Sequence, residues 1–421
     1  MVISKVSIFI AQKEYSVIDP DQKRNILLQG KPEPKDVTWW GELNFGAWYT
    51  EAEIRAVVKA IRGSMHWSVG FGPGAKEIED FENAFAKYCG AKYAIAITSC
   101  GVGLDIAMMC LDLEPGDEVI TPAINYKASQ MAILGQGGKV VFCDIDPKTL
   151  NVDPEDVERR ISPRTRAICP VHLTGLSAPM DELLDIAQRH PHSKHGPLKI
   201  VVDAARACGA SYKGRKVGAK GWLTAFSFHT QKLMTTLGEG GMIATDDSKL
   251  VQRIRDLNHF GGEVSWGTNY RMNKVQAAVG LVQLGRLDAM NSMRRKAAYR
   301  RNTLLKDVPE IILPYEPPDY EHTYYVYPIL VKPDWAGSKR DRLLAIMQEK
   351  FGIVCSITNK PTYVRWPYIA AKCGTPNLPV SEDIGQRLFC PPLHPLLNEE
   401  QEFYICASLL EAIDVVKGET E

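Results

Sequence analysis

The chain has 421 residues, 45% of them hydrophobic, and its 50 basic and 50 acidic side chains cancel to a formal net charge of zero. That length suffices for two domains, or one large domain with a lobe, around a sizeable core. The balanced charge argues against a duplex nucleic acid as partner, and with no run of about eighteen apolar residues no membrane-spanning helix is expected.

The opening MVISKVSIFIAQKEY is too short and too polar in its flank for a secretory signal. Residues 1–39 read as an extension that packs on the smaller domain. The ten cysteines (Cys89, Cys100, Cys110, Cys143, Cys169, Cys208, Cys355, Cys373, Cys390, Cys406) form no CxxC pair, and several lie in apolar runs such as VVFCDI. They read as reduced core residues of a cytoplasmic protein. From about Phe81 to Asp246 helical stretches (EDFENAFAKYCG, GLDIAMMCLDL) alternate with short β-branched runs (YAIAIT, EVIT, KVVFCDI, TRAICPVHL, LKIVVDAA, GMIATD). This alternation predicts βαβ crossovers and an α/β fold with a mostly parallel sheet, in which ligands bind beyond the carboxyl ends of the strands. A large domain is expected over 40–285. A long helix, NKVQAAVGLVQLGRLDAMNSMRRKAAYRRNTLLKDV, leaves it as a spine. Residues 286–421 mix strands (HTYYVYPILV, GIVCSI) with helices (RDRLLAIMQEK, QEFYICASLLEAI) and read as a smaller α+β domain.

Three residues carry the chemistry. Asp203 ends the apolar run IVVD, and Ser227 and Lys232 follow in FSFHTQKLMTTLGEGG. An acid at a strand end, then a hydroxyl and a lysine close together, is the layout a pyridoxal 5'-phosphate enzyme requires. The lysine bonds the cofactor aldehyde, and the carboxylate keeps the pyridine nitrogen protonated so that the ring accepts electrons when a Cα–H bond breaks. The glycines after Lys232 let backbone approach a ligand. ITSCGVGLDIAMM passes from strand to helix through Ser99, Gly101 and Val102, and the amides of Gly101 and Val102 are expected to face the phosphate. Ser99 reads equally as a turn residue. His172 and His229 fit no metal-ligand spacing, no metal is expected, and both read as structural. The run Arg294-Arg295-Lys296 with Arg300-Arg301 reads as a solvated helix face.

The ordered set GPGAKEIEDFENAFAKYCGAKYAIAITS, PGDEVITPAINYKASQMAI, AICPVHLTG, VVDAARACGA, SFHTQKLMTTLGEGGMIATDD, TNYRMNKVQAAVGLVQLGRLD and LPVSEDIGQRLFCPPLHPLLNEEQ resembles the fold-type-I pyridoxal-phosphate aminotransferases. Within them it resembles the DegT/StrS sugar aminotransferases, from about Phe45 to the chain end. The resemblance implies that Lys232 is the cofactor lysine and carries the proton shift, a position where sugar-dehydrating members have histidine. It implies that Asp203 is the pyridine partner, that Ser227 donates to the phosphate, and that Tyr126 stacks on the ring. Asn269 and Arg271 in TNYRM would reach a neighbouring subunit's site in a homodimer, Asn269 for the phosphate and Arg271 for a donor carboxylate. The implied reaction moves an amino group from L-glutamate or L-glutamine to a keto-sugar, nucleotide-linked or free, or to a keto-cyclitol. A non-catalytic cofactor-binding regulator, or an elimination or decarboxylation on the same fold, are the alternatives.

The chain departs from the family pattern in the phosphate cradle, beside the ring and, in the small domain, on the substrate side. Gly101 replaces a common threonine, and Arg206 replaces glutamine or histidine. Pro328 stands where histidine is frequent, and Thr358-Asn359 replaces a His-Tyr pair. Arg206 reads either as the partner of a structural carboxylate or as a contact for an acidic group on the acceptor.

Overall fold

The computed structural model describes residues 19–30, 46–72, 74–358 and 360–419, so Asn359 lies outside the described residues. Helix α1 (Pro20–Gln29) is followed by α2 (Glu51–Arg62), α3 (Lys76–Cys89), strand β1 (Tyr93–Ile97) and α4 (Cys100–Cys110). Next come β2 (Glu118–Pro122), α5 (Ala128–Gly135), β3 (Lys139–Cys143), α6 (Pro154–Arg159), β4 (Thr165–Ile168), α7 (Met180–Arg189) and β5 (Lys199–Asp203). Strands β6 (Leu223–Ser227) and β7 (Gly241–Thr245), helix α8 (Ser248–Leu257) and the long α9 (Lys274–Leu305) complete this half.

The seven strands form one sheet in the order β1-β7-β6-β5-β4-β2-β3. Neighbours from β3 to β6 are parallel, and β7 alone runs antiparallel to both β6 and β1. Parallel strands covered on both faces need side chains that are apolar in both directions, and Val201, Val202, Ala225 and Phe226 are all fully buried. Strand β6 was not among the runs read as strands, although it is the one that ends at Ser227.

Helix α9 begins with an Asn273–Gln276 capping box and spans 32 residues, roughly 48 Å at the α-helical rise. Its first half supplies Ala277, Leu284 and Leu287 to the core beneath the sheet. Its last turns supply Ala297, Ala298, Leu304 and Leu305 to a second core. That second core also holds strand β8 (Ile329–Val331) and helices α10 (Ser338–Phe351) and α11 (Glu399–Gly418). Helix α1 joins it through Leu27 and a Lys23–Asp307 ion pair of 3.0 Å.

Passage between two cores overturns the reading of the basic run as a solvated face. Arg294 and Arg301 stand seven residues apart, two turns on one face of α9, and each is 1% exposed. Arg301 pairs with the fully buried Glu402, whereas Arg294 donates to the carbonyls of Gly46 and Leu393. The strand expected over HTYYVYPILV shrinks to Ile329–Val331, because Tyr324 adopts φ 49° and breaks the extended run. GIVCSI forms no strand and contributes isolated bridge residues, Ile353 and Ser356, the latter paired with Cys390.

Candidate active site

Asp203 closes β5 at 3% exposure. Its Oδ1 accepts the Ala205 amide at 3.0 Å, and its Oδ2 accepts the Ser129 hydroxyl at 3.2 Å. Ser129 Oγ in turn accepts Asn125 Nδ2 at 3.0 Å, so a short polar relay orients the carboxylate. The Cys100 thiol lies 3.9 Å from Oδ1, and burial together with the Asp203 charge pushes that thiol well up. Among the described residues no lysine, arginine or histidine forms an ion pair with Asp203. A buried carboxylate with neutral donors and no cation is an incomplete arrangement.

Lys232 lies on the loop after β6. That loop is pinned by Lys232 N–H to His229 carbonyl (2.9 Å), Thr230 N–H to Gly238 carbonyl (2.9 Å) and Gly46 N–H to Thr230 carbonyl (2.9 Å). A Cβ at Gly46 would sit 2.2 and 2.4 Å from the carbonyl oxygens of Gln231 and Lys232, so only glycine fits there. The Lys232 amine donates to the Tyr325 hydroxyl at 3.3 Å and lies 4.6 Å from that ring's centroid. The Arg206 guanidinium lies 5.5 Å from the same ring. Arg206 is 6% exposed, and its carbonyl accepts Thr323 Oγ1 at 3.4 Å.

Ser227 and the N-terminus of α4 converge at Gly241. Gly241 pairs with Ser227 on one side and Ile97 on the other. A Cβ there would come within 2.6–2.8 Å of the Ser99 and Cys100 backbone. Ser99 is the N-cap of α4, and its hydroxyl accepts the Val102 amide at 3.2 Å. That amide, expected to face a phosphate, is therefore engaged by the cap. The Ser227 hydroxyl accepts the His229 amide at 3.3 Å.

Tyr126 lies between β2 and α5 with 53% of its surface exposed, and its ring meets Trp366 edge-on at 5.7 Å. Its amide bonds Asn125 Oδ1 at 2.6 Å, which ties the tyrosine to the relay behind Asp203. The segment from Thr268 to Met272 lies along the end of β1, where the Thr98 amide donates to the Tyr270 carbonyl at 2.9 Å. Arg271 donates to His259 Nδ1 at 2.5 Å and lies over Phe260, whereas the Asn269 side is exposed. Asp203, Arg206, Ser227, Lys232 and the start of α4 thus gather at the ends of β5, β6 and β7. Tyr126 stands beside them, and Asn269 and Arg271 make their contacts elsewhere on the chain.

Tyr325 was missed at the sequence level. His172 is fully buried, and burial alone pushes its imidazole down to about 3, so it stays neutral and its Nδ1 accepts the Ala178 amide at 3.0 Å. That is a structural role.

Pyridoxal phosphate fits this donor set. It brings an aldehyde for an amine that has no carboxylate partner, a pyridinium for a buried carboxylate that has no cation, and a phosphate for a helix N-terminus beside a serine.

Residues 49–410 match the model of the DegT/DnrJ/EryC1/StrS aminotransferase family. The chain belongs to this family. It is a pyridoxal-phosphate-dependent aminotransferase of the α/β class. It is 34% identical over 362 residues to the spore coat polysaccharide biosynthesis protein SpsC of Bacillus subtilis, covering 81% of this chain and 90% of that one. It is 35% identical over 340 residues to GDP-perosamine synthase of Caulobacter vibrioides, covering 79% and 89%. Among solved structures, the putative sugar aminotransferase Spr1654 of Streptococcus pneumoniae in its PMP form superposes with a TM-score of 0.82 at 25% identity, covering 89% of this aminotransferase and 98% of that chain. No helix among the described residues is long and apolar enough to cross a membrane.

Proposed function

We propose that this aminotransferase acts on a sugar, taking the amino group of L-glutamate or L-glutamine and placing it on the carbonyl of a keto-sugar. A nucleotide-linked keto-hexose is the favoured acceptor, supported by relatives such as the GDP-perosamine synthase. The observation that carries the reading is the pairing of deficits: Lys232 has an amine without an acid, and Asp203 an acid without a base.

When bound, pyridoxal phosphate supplies the electron sink for Cα–H cleavage. Lys232 Nζ would take the proton from the donor Cα as base and deliver it as acid to the former aldehyde carbon of the cofactor, on the other side of the donor nitrogen. Asp203, oriented by Ser129 and Ala205, would keep the pyridine nitrogen protonated. Ser227 and the Gly101 end of α4 would hold the phosphate, and Tyr126 would cover one face of the ring. The 6% exposure of Arg206 and its place beside Tyr325 support a contact with an acidic group on the acceptor.

The unit that works is a homodimer with composite sites, in which Asn269 and Arg271 serve the neighbouring subunit. Exposed apolar side chains on and after α2 (Ile54, Val58, Ile61, Trp67) and beside the TNYRM segment (Phe260, Trp266) support such a contact. We assign 40–285 to the cofactor domain and 286–421 to the small domain, and place the enzyme in the cytoplasm, where its ten free cysteines stay reduced. The test is a screen of the pyridoxamine-loaded protein against keto-sugars, free and nucleotide-linked. Return of the absorbance of the lysine-bound cofactor with a keto-sugar supports the reading, and response only to 2-keto acids refutes it.

A further inference from the structure

Lysine side chains carry about 2 kcal/mol of rotamer entropy, so an amine that must meet one atom needs something to hold it. For Lys232 the described residues offer a single hydrogen-bond partner, the hydroxyl of Tyr325 at 3.3 Å, with the ring face 4.6 Å away. Tyr325 is 6% exposed and lies 93 residues further along the chain. Its backbone is not free to wander. Thr323 N–H donates to the Gly175 carbonyl at 3.0 Å, Val326 N–H to the Thr174 carbonyl at 3.4 Å, and Thr323 Oγ1 reaches the carbonyls of Gly175 (3.1 Å) and Arg206 (3.4 Å). Gly175 follows β4, and Arg206 follows β5 three residues after Asp203. The phenol is thereby fixed near the carboxyl end of the central strand that carries Asp203, and the Arg206 guanidinium lies against the same ring at 5.5 Å.

We propose that Tyr325 is a positioning residue for the cofactor lysine: its hydroxyl holds the Lys232 amine in the attacking position and receives it again whenever that amine is released to move a proton. This rests on Lys232 being the cofactor lysine. The ring supplies a cation–π surface, and the hydroxyl supplies direction. Loss of the hydroxyl alone should misplace the amine without disturbing the rest of the site, and misplacement near one ångström is enough to cost about tenfold or more in a bond-forming rate.

The experiment uses apoprotein of the wild type, Tyr325→Phe and Tyr325→Ala. Covalent capture of pyridoxal phosphate is followed by stopped-flow absorbance. Binding of pyridoxamine phosphate, which cannot bond a lysine, is measured separately by equilibrium dialysis. The expected result for Tyr325→Phe is an unchanged pyridoxamine phosphate affinity, capture slowed about tenfold, and a larger isotope effect with α-deuterated glutamate; Tyr325→Ala should be slower still. Capture by Tyr325→Phe at the wild-type rate would overturn the proposal. An equal loss of pyridoxamine phosphate binding and of capture would also overturn it, by reducing Tyr325 to a packing role. Borohydride reduction of the loaded wild type separates the two claims. A tag away from Lys232 removes the reading of the lysine itself, whereas a tag on Lys232 with normal capture by Tyr325→Phe removes only the role of the tyrosine.

Discussion

Replacing Asp203 by asparagine should have opposite consequences for the empty and the working protein. The carboxylate is 3% exposed and is satisfied by Ala205 N–H, Ser129 Oγ–H and the Cys100 thiol, with no cation beside it. Asparagine keeps the shape, its oxygen can accept from Ala205, and its amide can donate to Ser129 Oγ. The apoprotein should therefore keep its stability to within about 1 kcal/mol, since a buried charge is exchanged for a neutral group with similar hydrogen bonds. In the working enzyme the same change would remove the negative charge that the proposed role sets against the pyridine nitrogen. At a contact of about 3 Å and an effective dielectric near 20, Coulomb's law gives about 5 kcal/mol, or roughly four powers of ten in rate. Chemical denaturation of the apoprotein reads the first effect, and single-turnover spectroscopy with the amino donor reads the second. A variant that turns over donor within about tenfold of the wild type would refute the argument, because Asp203 would then be only a strand-end hydrogen-bond acceptor.

The buried Arg301–Glu402 pair should be unforgiving when broken: Glu402→Gln leaves a guanidinium at 1% exposure without its acid and should cost about 3–5 kcal/mol in urea unfolding, while the double change Arg301→Met, Glu402→Leu should recover most of that loss. Burial pushes the imidazoles of His172 and His322 down to about 3, from 6.5. Their unfolded forms bind protons that the folded forms refuse, so stability is full above about pH 6.5 and falls as pH drops toward 3, by about 2 kcal/mol per histidine near pH 5. Unfolding free energies measured from pH 7 to pH 5 should decline, and His322→Gln should make the decline shallower. Mixing Lys232→Ala protein with an Asn269→Ala, Arg271→Ala protein should restore some activity, because a mixed dimer holds one site with both defects and one with neither; no recovery after verified subunit exchange would rule out composite sites.

The cluster of Asp203, Ser227 and Lys232 was legible because its members lie in chain order at the ends of consecutive strands. Asp203 ends β5, Ser227 ends β6, and Lys232 follows on a loop punctuated by glycines, so local pattern sufficed to group them. Tyr325 was hidden for the opposite reason. It sits in an aromatic run that reads as a strand, and its relation to Lys232 exists only once the segment from His322 to Val326 is tied to Thr174 and Gly175. The basic run of α9 misled because charge pattern alone cannot tell a helix that faces water from one that passes between two cores. Arg294 and Arg301 face inward at a two-turn spacing, whereas Lys296 on the same helix is exposed. The cap on Val102 escaped notice because Ser99 reads equally well as a turn residue until its φ and its contact to the Val102 amide are seen.

The most direct measurement is borohydride reduction of the protein as purified, followed by peptide mapping. The account predicts a single pyridoxyl group on Lys232, within the peptide containing FSFHTQK. A pyridoxyl group on any other lysine, or none in a protein that carries the cofactor, would contradict it.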